Sequence, residues 1–494
     1  PGNQHDMSAD ISHIPGRWLN ALFNAQEVVG VRLDENIVES LARWTYRAFT
    51  HPTGLPQSID WVRMKVVPDT SIHNLRESMH ALFALVKYRK DKRALKLARQ
   101  QIKTVEKYLD FRSARWDERS FRRERCGKCD QQWGIDSPRL RFPMGFGRYI
   151  GPLVKLYRAS GYEPALTQAI KLKDYAFKEV LNEKGDYDLR RFGNHTHSTT
   201  AMISSLAQLA EVLGDAPALE RVKAFLENGL ARIALPFGWC IETYKRKDHR
   251  GESNNTGDIL EACLILGRAG FTEYFQQAER ILRSHLLPSQ LLDTRFIPNS
   301  DCPQEDHRHR LATRSRGAFG FPRPYGHEDH YAHNPRHPDA ARISFNWDIT
   351  GGAVGSLCEA YRDVVTHSGA LTSINMHFDH TDSHLDVKSP YTNRDIMVVK
   401  LKRRRMLRVR LSNWVDRKQL RLTVNDKRTP MLISGDWLYL PVLNSRAMVK
   451  LKIPMKVVTT PYRFRKSTFV FRWRGDGVEA ASNLSPRLCF FKAL

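Results

Sequence analysis

Glu252 opens the stretch "ESNNTGDILEACLILGRAG", a carboxylate set among small amides and hydroxyls just ahead of an apolar helix pattern that stops on Gly270. An acid there either complements the positive end of the helix or faces a pocket. Other segments gather polar and aromatic groups in a similar way. "RFGNHTHSTT" carries His195 and His197, and "FGWCIETYKRKDHRGESNNTGD" adds Glu242 and Tyr244. "RGAFGFPRPYGHEDHYAHNPRH" carries Tyr325, His327, Glu328, Asp329, His330 and His333, and "SFNWDITGGAVGSLCEAY" carries Trp347 and Asp348. Two carboxyls across a cleft suit glycosidic cleavage, because one must hold a proton for the leaving oxygen while the other attacks or activates water. Glu242, Glu252 and Asp348 supply those types. Tyr and His beside an Arg would instead suit β-elimination on a uronate, where a cation neutralises the carboxylate and eases proton removal. Structural readings stand beside these. His195 and His197 could be helix caps, Asp258 a first-turn charge, and Asp348 a cap acting with Thr350. The His-rich 327–337 stretch lacks the i, i+4 histidine pair with an adjoining glutamate, so a sugar- or uronate-binding wall is expected there and no metal.

These segments need a scaffold, and the sequence repeats one. "LFALVKYRKDKRALKLA", "LVKLYRASGYEPALTQA", "LAQLAEVLGDAPALERV" and "CLILGRAGFTEYFQQA" each join an apolar helix end, a short turn and a new helix. Gly161, Gly214 and Gly270 fit the left-handed position that closes a helix. The unit is an antiparallel helix hairpin of roughly 50 residues, and repeats of that size build solenoids or closed arrays. Further helical patterns lie near 36–50 and 352–366. The joining segments 110–143, 183–196, 235–255 and 287–347 are long and irregular, which favours an (α/α)6 toroid over an open solenoid. In a toroid the N-termini of the inner helices converge on one mouth, where loops distant in sequence meet. After about 370 the pattern alternates with period two between turn signals such as Asn425-Asp426 and Gly435-Asp436. That predicts an antiparallel β-sandwich. The expected division is 1–369 for the toroid and 370–494 for the β-domain.

Composition bounds the rest. The 494 residues carry 78 Lys+Arg against 53 Asp+Glu, a net charge of +25, with 41% hydrophobic residues. The charge favours an anionic partner. No nucleic-acid module accompanies the basic runs at 113–128 and 400–410, so no nucleic-acid partner is expected. There is no apolar run long enough to cross a membrane and no apolar leader at the start. A soluble protein is expected, cytoplasmic or exported after signal removal, with a homo-oligomer left open. Seven scattered cysteines do not form a disulfide framework. Cys126 and Cys129 read as free thiols or one local bridge rather than as half of a zinc site.

The late hairpin "GESNNTGDILEACLILGRAGFTEYFQQAERILRSHLLPSQL" and the strand pattern "LRVRLSNWVDRKQLRLTVNDKRTP", "WLYLPV", "VKLKIPMKV" resemble the bacterial β-L-arabinofuranosidases of glycoside hydrolase family 127 over about 190–475. That resemblance implies a six-hairpin toroid, a β-domain and an acid/base glutamate at Glu242. It also implies a zinc ion held by a glutamate and cysteines, one of them the nucleophile. Glu252 keeps the glutamate position, but Asn254 stands in one cysteine position and Asp348 and Ile349 in the later cluster. A thiolate zinc site is therefore not expected, and no cofactor is. The reading is a carboxylate-dependent glycoside hydrolase acting on an acidic or arabinose-containing glycan. Glu242 would be its general acid/base and Asp348 its nucleophile or base. Glu252 would orient substrate or share the acid role. His195, His197, Tyr244, Tyr325, His330 and Trp347 would contact the sugar. A uronate lyase and a non-catalytic carbohydrate-binding relative are the alternatives.

Overall fold

A computed structural model describes residues 10–60, 63, 65–67, 74–126, 142–295, 297, 299–304, 309–327, 347–482 and 489–494. The helical part is built from hairpins: α1 (Asp10–Val29) with α2 (Glu35–Ala48), α3 (Asn74–Arg89) with α4 (Lys92–Tyr108), α5 (Ile150–Ser160) with α6 (Glu163–Tyr175), α7 (Thr196–Leu213) with α8 (Ala216–Asn228), and α9 (Ser253–Arg268) with α10 (Glu273–Ile281). α11 (Trp347–Val364) follows. The helices α1, α3, α5, α7, α9 and α11 form the inner ring. Each packs on the next, and α11 packs back on α1, so the ring closes as an (α/α)6 toroid. The inner α3 is buried on every face from Asn74 to Val86. The outer α4 keeps one apolar stripe at Ala94, Ala98, Ile102 and Val105, the i, i+4 pattern of a helix with one wet side.

The turns follow from local chemistry. Gly161 and Gly214 sit at φ 66° and 63°, closing α5 and α7 in the left-handed region that only glycine enters without strain. Asp215 then caps α8 by accepting from the Ala218 amide at 3.0 Å, and Asp91 caps α4 through Ala94 at 2.9 Å.

The β part starts where α11 ends, with β1 (Val365–Ser368), β2 (Leu371–Ile374), β3 (His380–Thr381), β4 (Leu385–Lys388), β5 (Ile396–Leu401), β6 (Arg405–Arg410), β7 (Arg421–Val424), β8 (Lys427–Arg428), β9 (Leu432–Ser434), β10 (Trp437–Leu443) and β11 (Met448–Lys452). They form sheets in the orders β9-β10-β6-β2-β1 and β8-β7-β11-β5-β4-β3. Pairing is antiparallel except between β6 and β2. Alternate residues of both sheets, such as Leu407 and Val409 on one and Val399 and Leu451 on the other, share one apolar cluster. A third sheet, β12 (Val457–Phe464), β13 (Ser467–Arg474), β14 (Gly477–Ala481) and β15 (Lys492–Ala493), turns back onto the toroid. There Phe464 meets Trp239 (ring centroids 5.1 Å apart) and Phe471 meets Phe237 (4.9 Å). Glu279 of α10 and Arg410 of β6 form a fully buried ion pair at 2.6 Å that ties the toroid to the β part.

Candidate active site

The N-terminal ends of the inner helices bring charged side chains to one place. Glu252 is the residue before α9 and has extended backbone (φ −146°, ψ 124°), yet its carboxyl caps nothing. It lies 3.2 Å from His197 Nδ1, in the first turn of α7. His197 Nε2 is 3.5 Å from Asp258 Oδ2 and 3.4 Å from Arg17 Nη2. Asp258 also accepts from Thr200 at 3.0 Å and lies 3.5 Å from Arg76. Asp348 lies in the first turn of α11. Its Oδ1 accepts from Arg17 Nε at 3.0 Å and lies 3.0 Å from His13 Nε2. Arg17 also pairs with Glu77 at 3.1 Å, and Arg76 with Glu77 at 2.9 Å.

Glu242 reaches the same place from a loop held at both sides. Its amide donates to Arg250 O at 3.0 Å, and its carbonyl accepts from the Thr196 amide at 3.2 Å. Its carboxylate takes Arg246 Nη1 at 3.0 Å and faces Arg250 Nε at 3.3 Å. The third sheet braces this loop, with Arg465 donating to the carbonyls of Tyr244 and Arg246.

Electrostatics separates the carboxyls. Burial, with Glu242 and Asp348 as like charges nearby, pushes the Glu252 carboxyl well above the carboxylate range, against Arg17. Burial lifts Asp258 to about 6, against Arg76 and Arg17. Burial also raises Glu242, opposed by Arg250 and Arg246. Burial alone would raise Glu77, but Arg17, Arg76 and His13 outweigh it and hold it low. Burial pushes His197 well below the ordinary imidazole value, and Arg17, Arg76 and Arg148 add to the effect. For His13, the charge and hydrogen bond of Asp348 overcome burial and raise it. A carboxyl raised by burial therefore sits beside an imidazole lowered by burial, with Glu242, Asp348 and Asp258 as like charges around it.

Of the residues singled out in the sequence, Glu242, Glu252, Asp348 and His197 come together. His195 precedes α7, its ring 5.8 Å from that of His197, and its Nδ1 is 2.7 Å from Ser198 Oγ. Trp347 is partly exposed and packs on Trp18, ring centroids 5.5 Å apart. Tyr244 stacks on Tyr187 (5.2 Å) below the Arg465 guanidinium. Tyr325 is buried in the apolar junction with Phe469 of the third sheet. His330 and Cys129 lie outside the described residues. Asp258, read in the sequence as a helix-entry charge, belongs to the cluster. His13, Arg17, Arg76 and Glu77 were not singled out at all. The available signal was His13 and Arg17 at i, i+4 with Leu19 and Phe23 behind them, obscured by Pro15.

The donors around Glu252 do not suit a thiolate-bound zinc. Asn254 is buried with neither amide atom hydrogen-bonded among the described residues, Ile349 is core, and Asp348 is taken by Arg17 and His13. Burial pushes the Cys240 thiol up, and it lies 3.4 Å from the Asn255 amide. His195, His197 and Glu252 do offer three ligand atoms within 4.8 Å of one another.

No protein-family model matches the chain, and no curated protein matches it. Solved structures do. A family 127 β-L-arabinofuranosidase from Geobacillus stearothermophilus T6 superposes with TM-score 0.64 at 14% identity, covering 97% of this chain and 78% of that one. A second family 127 β-arabinofuranosidase gives 0.63 at 13% identity over 97% and 77%. A third structure, described as a glycoside hydrolase, gives 0.58 at 12% identity over 97% and 81%. The likeness is one of fold: a helical toroid followed by β-domains in the same arrangement.

Proposed function

We propose that this chain is a glycoside hydrolase whose chemistry is carried by Glu242 and Asp348, with Glu252 as a proton-holding partner. The observation that carries the reading is the convergence of three carboxyls from two distant parts of the chain, with Glu252 raised by burial and by the other two charges. Carboxyls whose environments push them apart divide acid and base work between them. Glu242 is the general acid/base: its carboxyl is raised and is the most exposed of the three, at 19% against 5% and 4%. Asp348, fixed by Arg17 and His13, is the nucleophile or base. Glu252 donates a hydrogen bond to a sugar hydroxyl or hands its proton on through His197. His195 and Trp347 flank the approach. Those roles fit the names of the two first-mentioned neighbours, which are arabinofuranosidases. The net charge of +25 fits an anionic glycan.

The test is turnover on a panel of arabinose- and uronate-containing oligosaccharides. New reducing ends and ultraviolet absorbance are both read, with Glu242→Gln and Asp348→Asn beside the parent. Reducing ends without absorbance, falling about 10²–10⁴-fold in Glu242→Gln, are expected. Absorbance that survives both substitutions would replace hydrolysis by elimination.

A further inference from the structure

A second cluster of ligand-type side chains lies far along the chain from the carboxyls, in the β part. His367 is on β1, His380 on β3, and Asp382 and His384 in the turn from β3 to β4. Asp382 is the centre. Its Oδ2 lies 2.8 Å from His367 Nε2 and 3.0 Å from His380 Nε2, and its Oδ1 lies 3.8 Å from His384 Nδ1. The imidazoles of His367 and His384 stack with centroids 4.1 Å apart. His367, Asp382 and His384 offer ligand atoms within 4.8 Å of one another.

We infer that His367, Asp382 and His384, with His380 beside them, bind a divalent transition-metal ion of the zinc class. Imidazole nitrogen and carboxylate oxygen bind zinc at ~2.0–2.2 Å, which puts tetrahedral donors ~3.3 Å apart. The His367–Asp382 and His384–Asp382 separations of 2.8 and 3.8 Å bracket that value, and the three ligand atoms lie within 4.8 Å of one another. The outer contacts are those a metal site uses to aim its ligands. His367 Nδ1 is tied to Thr372 Oγ1 at 2.9 Å, leaving Nε2 to the centre. Asp382 is fixed by the amides of His384 and Leu385 at 2.6 and 3.0 Å. His380 is buried against Tyr361 of α11, and its Nδ1 takes no hydrogen bond among the described residues. Arg405 lies 3.5 Å from His367 Nδ1, and Lys402 donates to Asp382 O at 2.7 Å, so both side chains brace the ligand cluster from outside.

The placement gives the ion a role. β1 is the edge of one sheet and β3 the edge of the other. An ion held between them staples the open side of the sandwich, next to where α11 enters the β part. This inference does not depend on the glycosidase reading.

The experiment is titration of the full-length protein with Zn²⁺, and with Co²⁺ for its visible d–d bands, in a Glu252→Gln background that disables the His195/His197/Glu252 group. One saturable equivalent and a zinc-dependent rise in Tm are expected. His367→Ala should weaken binding at least about tenfold. The turn variant His384→Gln, which leaves β1 intact, should do the same if His367→Ala folds poorly. Absent saturable binding, or binding unchanged in both variants, would overturn the site.

Discussion

Arg17 is the cation on which the inner ring turns, and its removal should be costly in a specific way. Its Nε lies 3.0 Å from Asp348 and 3.1 Å from Glu77, both nearly inaccessible to water. At an effective dielectric of about 20, each pair is worth ~5 kcal/mol of gross attraction. Desolvation of the guanidinium offsets much of this. The Arg17→Met variant keeps the stem but leaves two buried carboxylates short of a partner. Glu77 retains Arg76 at 2.9 Å and Asp348 retains His13 at 3.0 Å, so the loss should fall within the ~3–5 kcal/mol typical of a broken buried pair. Adding Glu77→Gln removes one stranded charge, so the double variant should lie ~1–3 kcal/mol above the sum of the singles. The assay is urea unfolding followed by tryptophan fluorescence, since Trp18 and Trp347 pack together at the α1–α11 contact. The pH dependence adds a second readout. Glu77 is held low in the fold, so its stabilisation is present above its unfolded value of about 4.5 and lost as pH falls through the folded value. Arg17→Met should lose less stability on acidification than the parent does. A cost under ~1 kcal/mol, or strict additivity with Glu77→Gln, would refute the account of Arg17 as the shared partner.

Other outcomes follow from neighbouring geometry. Glu252 is raised in the fold, so its stabilisation is complete below about 4.5 and falls by ~1.4 kcal/mol per pH unit until the folded value is reached. Glu252→Gln should flatten the fall in stability above about pH 4.5, measured by denaturant unfolding across pH. Gly16→Ala would place a Cβ 1.9 Å from the Glu77 carbonyl oxygen, forcing α1 away from α3. A loss of ~1–3 kcal/mol or more is expected, read as a fall in Tm. Glu279→Met strands Arg410, which is 1% exposed, at a cost of ~3–5 kcal/mol. Because the pair joins two parts of the chain, faster limited proteolysis between them should accompany the loss.

The hairpins were legible because their turns are decided locally. Gly161, Gly214 and the caps Asp91 and Asp215 mark helix ends whatever the tertiary context. α1 was not legible, since Pro15 removes a backbone donor and reads as a helix breaker. The ring of neighbours around α1 overrides that signal, and with α1 went His13 and Arg17. The third sheet was legible as strands but not as a separate sheet, because period-two alternation says which face is buried and not against what. That distinction matters for Tyr325. Its type and neighbourhood suited a sugar wall, while the packing of Phe469 makes it core. Nor could the sequence say where Glu252 points. The position before α9 is the same for a capping acid and for one turned to His197, and the choice depends on a side chain 55 residues earlier.

The departure from the thiolate pattern is internally consistent. A Cβ at Gly352 would lie 2.0 Å from Asn254 Oδ1, and one at Gly351 would lie 2.9 Å from Arg17 Cβ. The double glycine at the start of α11 thus leaves room for the Asn254 amide and for the Arg17 side chain that pairs with Asp348. Positive charge at the mouth is supplied by a side chain rooted in α1, whose position is fixed by the ring. If Asp348 reacts as proposed, such a cation is preorganised for the charge that develops on it and needs no reorganisation during the step. It also compensates the charge of Asp348 through a hydrogen bond to Oδ1. On that argument, replacing Arg17 by Lys should lower turnover more than it lowers stability. A point charge on a flexible stem can satisfy one of the three neighbours at 3.0, 3.1 and 3.4 Å but cannot hold all of them as the planar guanidinium does. Equal losses in turnover and stability would assign Arg17 to the scaffold alone.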